Sequence, residues 1–332
     1  MDNAETLISA CADENPNVRR AAALAIGELG ISQGKNALVK LLGDKQPAVQ
    51  EEAVYSLGKL KAEDAVDHIV ALLVPKDGDP RKAILQAVSM KGEGEEAKQQ
   101  SGAAPFGAGA GAKKGKEVNW KVKRAAALVI CKLKPDIAVF PLGHALDHEN
   151  QNIRLASITG LGNMEAEISA EKLLVLLSND NWEIRKSAAT ALGKIKTDEA
   201  VPGLLELLKD TRFPVRIEAV IALNRIKSHD SIAALTESLK NDNNPDVKRT
   251  IATALGNMRS ESVVPALAGA CKDEAWQVRK AAITSLGNLK YASVVPPIME
   301  AIADENKEVQ AVAAAAYPRM VAYLASLMHE QK

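Results

Sequence analysis

The sequence predicts an all-α fold, an α-solenoid in which one helix pair is repeated along the chain. Two observations carry this expectation. The segment Asp180–Ile195, DNWEIRKSAATALGKI, returns as DENPNVRRAAALAIGEL from Asp13 and as DEAWQVRKAAITSLGNL from Asp273, with weaker copies between. Aromatic residues make up only 3% of the chain, while Ala, Leu and Val abound, which suits thin, closely spaced helices better than one large core. In such an array each unit packs on its neighbours, so 332 residues add units rather than separate globular domains.

The Val of V-R-x-x-A-x-x-A-L-G serves as a ruler. It falls at Val18, Val49, Val122, Ile153, Ile184, Val215, Val247, Val278 and Val309, in steps of 31 residues apart from one of 32 and one gap of 73. Pro80 lies one ordinary step after Val49, and PRKAILQAVS fits the template with Arg81, Ile84, Ala87 and Val88 in their slots. The count is therefore ten helix pairs, the fourth carrying 11 extra residues. The expected divisions are repeats 1–3 over residues 1–91, an insertion at 92–116, the remaining repeats over 117–317, and a terminal helix at 318–332.

Each element follows from local pattern. A first helix such as VPGLLELLKD (201–210) has apolar residues at i, i+3, i+4 and i+7, one buried stripe. Pro202, Pro265 and Pro296 fall in its first turn, where a missing backbone donor costs little. The second helix buries the ruler and the residues four, seven, eight and eleven places on. Gly nine places on (Gly27, Gly58, Gly162, Gly193, Gly256, Gly287) admits a close neighbour, at a helix-propensity cost of roughly 1 kcal/mol. The last stretch, RMVAYLASLMHE, puts Met320, Val321, Leu324, Leu327 and Met328 on one stripe and reads as a capping helix beginning after Pro318. The first helix, around Leu7 and Ile8, shows no comparable cap.

Charges recur at the same interval. An acid stands five before the ruler (Asp13, Asp44, Glu117, Asp210, Asp242, Asp273, Asp304) and a base one after it (Arg19, Arg81, Lys123, Arg154, Arg185, Arg216, Lys248, Arg279), with Gln50 and Gln310 as exceptions. The carboxylate can cap the second helix, and the guanidinium can bridge to the turn of the next repeat. Catalysis would need such charges to converge on one point, and a ladder repeated at every step reads as structural.

The unit D-x-x-x-x-V-R-x-x-A-x-x-A-L-G-x-L resembles the HEAT-like repeat named after phycobilisome bilin lyases, over all of the chain except about residues 91–116. The resemblance implies a right-handed superhelix of antiparallel pairs, first helices outside and second helices lining a concave face. It also implies a family that includes lyase subunits, hydroxylases and scaffolds, so it speaks to fold more than to activity.

On that geometry the position two after the ruler points into the concavity. It reads Arg20, Glu51, Lys82, Arg124, Leu155, Lys186, Ile217, Arg249, Lys280 and Ala311, six bases to one acid. The row ten places on adds Lys59, Lys132, Lys194, Arg225 and Arg319 against Glu28. A basic groove suits an acidic or extended protein segment; a solvated consensus face is the plainer reading. Trp120, Trp182 and Trp276, joined by Phe213, all lie two before the ruler along one rim. Such aromatics can anchor a partner, although packing over the inter-helix bend explains them as well.

Residues 92–116 contain seven Gly and six Ala, a single Phe106, and no Leu, Ile, Val or Met. They stand where the fourth first helix should be. The expectation is a notch over the flanking second helices, serving as a hinge or a docking slot with Phe106 as an anchor.

Enzyme chemistry finds little support. The five histidines share no metal-ligand spacing, and the second-helix His-Glu pairs implied by the hydroxylase resemblance are missing. GAGAGAKKGK (107–116) lacks a preceding strand and the Ser/Thr that a phosphate-binding loop requires. Cys11, Cys131 and Cys271 occupy core or small-residue slots. Lys+Arg and Asp+Glu balance at 42 each, which argues against nucleic acid. With no visible signal segment, a cytoplasmic setting is expected. The leading expectation is a non-catalytic scaffold without cofactor. A bilin-lyase-like subunit handling a tetrapyrrole is the alternative by resemblance, and nucleic-acid backbone binding is a third.

Overall fold

The computed structural model describes residues 3–73, 118–133 and 135–330, and every regular element among them is helical. The helices fall into two compact units, Met1–Lys172 and Leu173–Lys332. In the first, α1 (Asn3–Ala10) pairs with α2 (Pro16–Glu28), α3 (Lys35–Leu41) with α4 (Pro47–Lys59), α5 (Val66–Leu73) with α6 (Trp120–Leu133), and α7 (Pro135–Ala145) with α8 (Gln151–Asn163). Next comes α9 (Ala170–Val175), whose terminal turn Leu176–Ser178 packs on α10 (Trp182–Ile195). The pairs α11 (Val201–Leu207) with α12 (Phe213–Ile226), α13 (Ile232–Asn241) with α14 (Pro245–Asn257), α15 (Val264–Ala270) with α16 (Trp276–Leu286) and α17 (Val295–Glu300) with α18 (Lys307–Glu330) follow. The fold is an α-solenoid, with nine pairs among the described residues.

Within each unit the second helices lie side by side, whereas neighbouring first helices touch little. The small residues explain the asymmetry. A Cβ on Gly193 would come within 2.7 Å of the Ala222 backbone, and one on Gly27 or Gly256 would strike Ser56 or Ser285. Gly nine after one ruler thus meets a small residue seven after the next, so the second helices approach closely and each unit curves with them on its inner side. The ruler residues from Val49 to Val309 are buried, as are the Leu and Ile residues of the first helices that face them, such as Leu38, Leu204 and Ile298.

α4 and α6 lie directly against each other, and a Cβ on Gly58 would approach Val129 Cγ1 to 2.9 Å, the same contact that Gly27 makes with Ser56. α5 packs on α6 and also touches α7. The segment counted as a second helix at 80–88, with Lys82, and the Gly/Ala-rich 92–116, with Phe106, lie outside the described residues.

One expectation is corrected at the carboxyl end. Pro318 does not begin a separate cap; it sits inside α18, which runs unbroken from Lys307 to Glu330. Pro lacks an N–H and forfeits one intrahelical bond, but φ stays helical and the helix continues. Of the expected stripe, Met320 is buried and Val321 is exposed, while the side chains of Leu324, Leu327 and Met328 lie outside the described set.

Second helices end in a left-handed residue twelve after the ruler: Gly30, Lys61, Glu165, Lys196, Lys227 and Arg259 all have φ between 50° and 67°. At Lys61 the following amide, Ala62 N–H, reaches back to Leu57 O at 3.0 Å, a Schellman closure. Only one of these positions is glycine, which is why the sequence pattern did not reveal them.

Candidate functional site

The charge ladder is built as the spacing suggests, with one change of role. Arg185 makes a two-pronged bond to Asp210, Nε to Oδ2 at 2.6 Å and Nη2 to Oδ1 at 3.0 Å, while Nη1 donates to the carbonyls of Asn179 and Asp180. Arg19–Asp44, Arg216–Asp242 and Arg279–Asp304 repeat the fork, and Lys248–Asp273 keeps a single bond of 2.8 Å. The carboxylates do not cap the helices themselves. Each Oδ1 accepts the amide two residues on, as Asp44 does from Gln46 at 2.8 Å, which closes the turn. The helix caps belong to Asn15, Asn150, Asn181 and Asn244, three before the ruler.

The ladder also sets the electrostatics. The Arg19 guanidinium holds Asp44 below the usual carboxylate range against the opposing effect of burial, and Arg279 does the same for Asp304. At Asp210 burial is the largest influence and pushes upward. The bonds from Arg185 and the Arg212 amide outweigh it, and the net shift is downward.

Three places depart from the pattern. Gln50 and Gln310 keep only the inner half of the role, donating to the carbonyls of Asp44 and Asp304. His148 fills an acid slot: its Nδ1 accepts the Asn150 amide at 2.9 Å, and its Nε2 lies 3.0 Å from Lys123 Nζ. The signal for this was available, because His148 stands five before Ile153. Arg154 has a buried Nε with no hydrogen-bond partner among the described residues, and the acid slot one step on holds Asn179.

The inner row is less uniformly basic than its sequence. Arg20 pairs with Glu52 at 3.3 Å, Arg249 with Asp246 at 3.4 Å, and Lys280 with Glu308 at 2.7 Å. Arg124, in the first unit, and Lys186, in the second, have no ion-pair partner among the described residues. Beside the row, Lys59 reaches Glu28 at 2.7 Å. Three pairings within the chain thus cancel charges that the sequence offered to a partner.

Each rim aromatic, Trp120, Trp182, Phe213 and Trp276, is the first residue of its second helix. Trp120 and Trp182 are half-buried, whereas Phe213 and Trp276 are exposed. Cations lie near all three indoles: Lys121 at 5.8 Å from Trp120, Arg212 at 5.3 Å from Trp182 and Lys280 at 5.9 Å from Trp276. In the second unit a groove of about 550 Å³ opens between α11 and α13, where the step is one residue longer, with Leu205, Glu206, Lys209 and Glu237 in its walls.

The cysteines behave as packing. Cys11 is buried, and burial pushes the thiols of Cys131 and Cys271 up to about 12, so neither is a thiolate at neutral pH. No group of three or more His, Cys, Asp or Glu side chains among the described residues is arranged to hold a metal ion. No helix among them is long and apolar enough to cross a membrane.

Comparison with known proteins gives the same picture. No curated protein matches the sequence. Kap95p, in a complex with RanGDP, is similar in structure at a TM-score of 0.60 and 14% identity, over 97% of this chain and 45% of its own. The YibA protein of E. coli is similar at 0.54 and 18%, over 86% and 92%. The CpcE–CpcF phycocyanin lyase complex of Nostoc sp. PCC7120 gives 0.43 and 16%, over 86% and 94%. HEAT repeats match residues 4–89, 115–187, 170–249 and 234–317. With helix pairs stacked through glycine contacts and arginine–aspartate rungs among the described residues, this chain belongs to the HEAT repeat family.

Proposed function

We propose that the protein is a non-catalytic interaction scaffold that holds an acidic or extended segment of another protein along the inner face of its second helices. The observation that carries the reading is the contrast within the inner row. Arg20, Arg249 and Lys280 are engaged with Glu52, Asp246 and Glu308, while Arg124 and Lys186 present cations with no ion-pair partner among the described residues. Ladder arginines are held by forks inside the stack and serve the fold. The inner-row side chains stand on the face that the first helices leave uncovered. Kap95p, a structure of similar fold, binds RanGDP, which supports protein recognition as a use of this architecture. The exposed Phe213 and Trp276 supply apolar contact at the rim.

The test is a titration of the intact protein with a fluorescent glutamate-rich peptide. Reversal to Arg124→Glu or to Lys186→Glu is each expected to weaken binding by at least about threefold, and Arg249→Glu by clearly less. Equal affinities for all four forms would remove the inner row from the account. Steep salt dependence with DNA would favour the nucleic-acid reading. A visible absorbance band after incubation with a bilin would favour the tetrapyrrole reading.

A further inference from the structure

The inner face of the second unit is not uniform. Its second helices α10, α12, α14 and α16 lie side by side, and each offers two slots, two and six residues after the ruler, on the face that the first helices leave uncovered. On three of them the slots hold a base and a threonine: Lys186 with Thr190, Arg249 with Thr253, and Lys280 with Thr284. Each threonine hydroxyl donates to the carbonyl of that base one turn back, at 3.0, 3.0 and 2.8 Å, and is thereby occupied within its own helix. On α12 both slots are aliphatic. Ile217 and Ile221 stand one turn apart and half-buried, on the helix between those that carry Lys186 and Arg249.

A merely solvated face would carry polar residues on α12 as it does on its three siblings. Instead an apolar patch has a cation on either side. Lys186 has no ion-pair partner among the described residues. Arg249 meets Asp246 at 3.4 Å, and that acid is 59% exposed, so a competing carboxylate can displace it. Across α10, α12 and α14 the row thus offers cation, apolar, cation.

The spacing of that row selects the conformation of what lies along it. Packed helices stand about 8–10 Å apart. In a β-strand, side chains on one face recur at about 6.7 or 13 Å, and neither interval fits. A strand also needs backbone partners, and the interiors of these helices present none. A polyproline II segment turns once in three residues, rises about 9.3 Å in doing so, and has no internal hydrogen bonds to complete. Every third side chain then meets the next helix. We infer that the second unit takes a polyproline II segment of a partner protein with the pattern acid-x-x-apolar-x-x-acid. The central residue packs on Ile217 and Ile221, and the carboxylates reach Lys186 and Arg249. The pattern reads the same in both chain directions. It rests on the inner row being the binding face and adds conformation and register to it.

The test titrates the full chain, at low ionic strength, with fluorescent peptides of equal composition. Pro-Pro-Glu-Pro-Pro-Leu-Pro-Pro-Glu-Pro-Pro holds the three-residue spacing, and Pro-Pro-Pro-Glu-Pro-Leu-Pro-Glu-Pro-Pro-Pro shortens it to two. The first is expected to bind at least about tenfold more tightly, and glycine at every proline to forfeit a similar factor by loosening the conformation. Ile217→Thr with Ile221→Thr, which copies the threonine of the sibling helices, is expected to weaken the first peptide by about tenfold. The same variant should leave a serine-for-leucine form of that peptide unaffected. Equal binding of both spacings, each weakened by Lys186→Glu, would overturn the register and leave the inner row standing as the binding face. A loss shared by the leucine and serine peptides would overturn the apolar contact. No binding of any peptide at about 1 mM, or binding that Lys186→Glu does not weaken, would overturn the inner row together with this inference.

Discussion

The Cys131 thiol occupies the space that a Cβ on Gly160 would need. Elsewhere the glycine lies on the leading helix and the larger residue on the following one. Here the two have changed places, and Cys131 Sγ donates to Ala127 O at 2.8 Å to satisfy itself inside the stack. Gly160→Ala alone should destabilise by about 1–3 kcal/mol through overpacking. Gly160→Ala with Cys131→Gly restores the usual arrangement and should recover most of that loss. Urea unfolding of the four-member cycle checks it, and strict additivity would contradict the account.

Arg185 and Arg154 occupy the same slot with different outcomes. Arg185 forks onto Asp210, whereas the buried Arg154 Nε has no described partner. Arg185→Gln should cost about 1–3 kcal/mol, because the inter-repeat fork goes and Asp210 loses its cation. Arg154→Gln should cost distinctly less, as glutamine can still donate to a carbonyl within its own repeat in the manner of Gln50. Thermal unfolding of the two variants, side by side, decides the order.

Acid should open the ladder. Asp44, Asp210 and Asp304 are held below their ordinary value in the folded protein. The unfolded chain therefore binds more protons at these sites, and stability rises with pH. Their contribution is fully present above the unfolded carboxylate value, about 4, and is lost as pH falls through the lowered folded values. Unfolding free energy measured from pH 7 to pH 2 should hold down to about pH 4 and then decline, and Asp210→Asn should flatten part of the decline.

Left-handed lysines mark positions where stability is recoverable. Lys196 and Lys227 both have φ of 60°, a conformation costing a side-chain-bearing residue roughly 1 kcal/mol relative to glycine. Lys196→Gly or Lys227→Gly should raise stability by about 0.5–1 kcal/mol, since Gly30 already fills the equivalent place. A lower denaturation midpoint in both would refute the assignment.

The parts of the fold that repeat were legible from the sequence, because repetition turns weak local preference into a count. The Arg–Asp rungs, the close approach at Gly27 and Gly193, and the buried slots of Cys11 and Leu208 all follow from one spacing. What resisted reading was whatever depends on two neighbours at once. Glu52 and Glu308 neutralise Arg20 and Lys280 from the adjacent second helix, and no single-repeat pattern displays that. The left-handed turns hide for a different reason, since lysine and arginine tolerate the strain and leave no glycine signature.

The family match runs to residue 89 and resumes at residue 115. In the structure Val129 stacks on Gly58, which places Arg124 beside Glu51 in the inner row. A Cβ built on Gly58 lies 3.6 Å from Val129 Cβ, within the range a disulfide spans. The decisive measurement is mild oxidation of the double variant Gly58→Cys with Val129→Cys, followed by peptide mass analysis. The account predicts a disulfide between positions 58 and 129. Two free thiols at these positions after oxidation would contradict it.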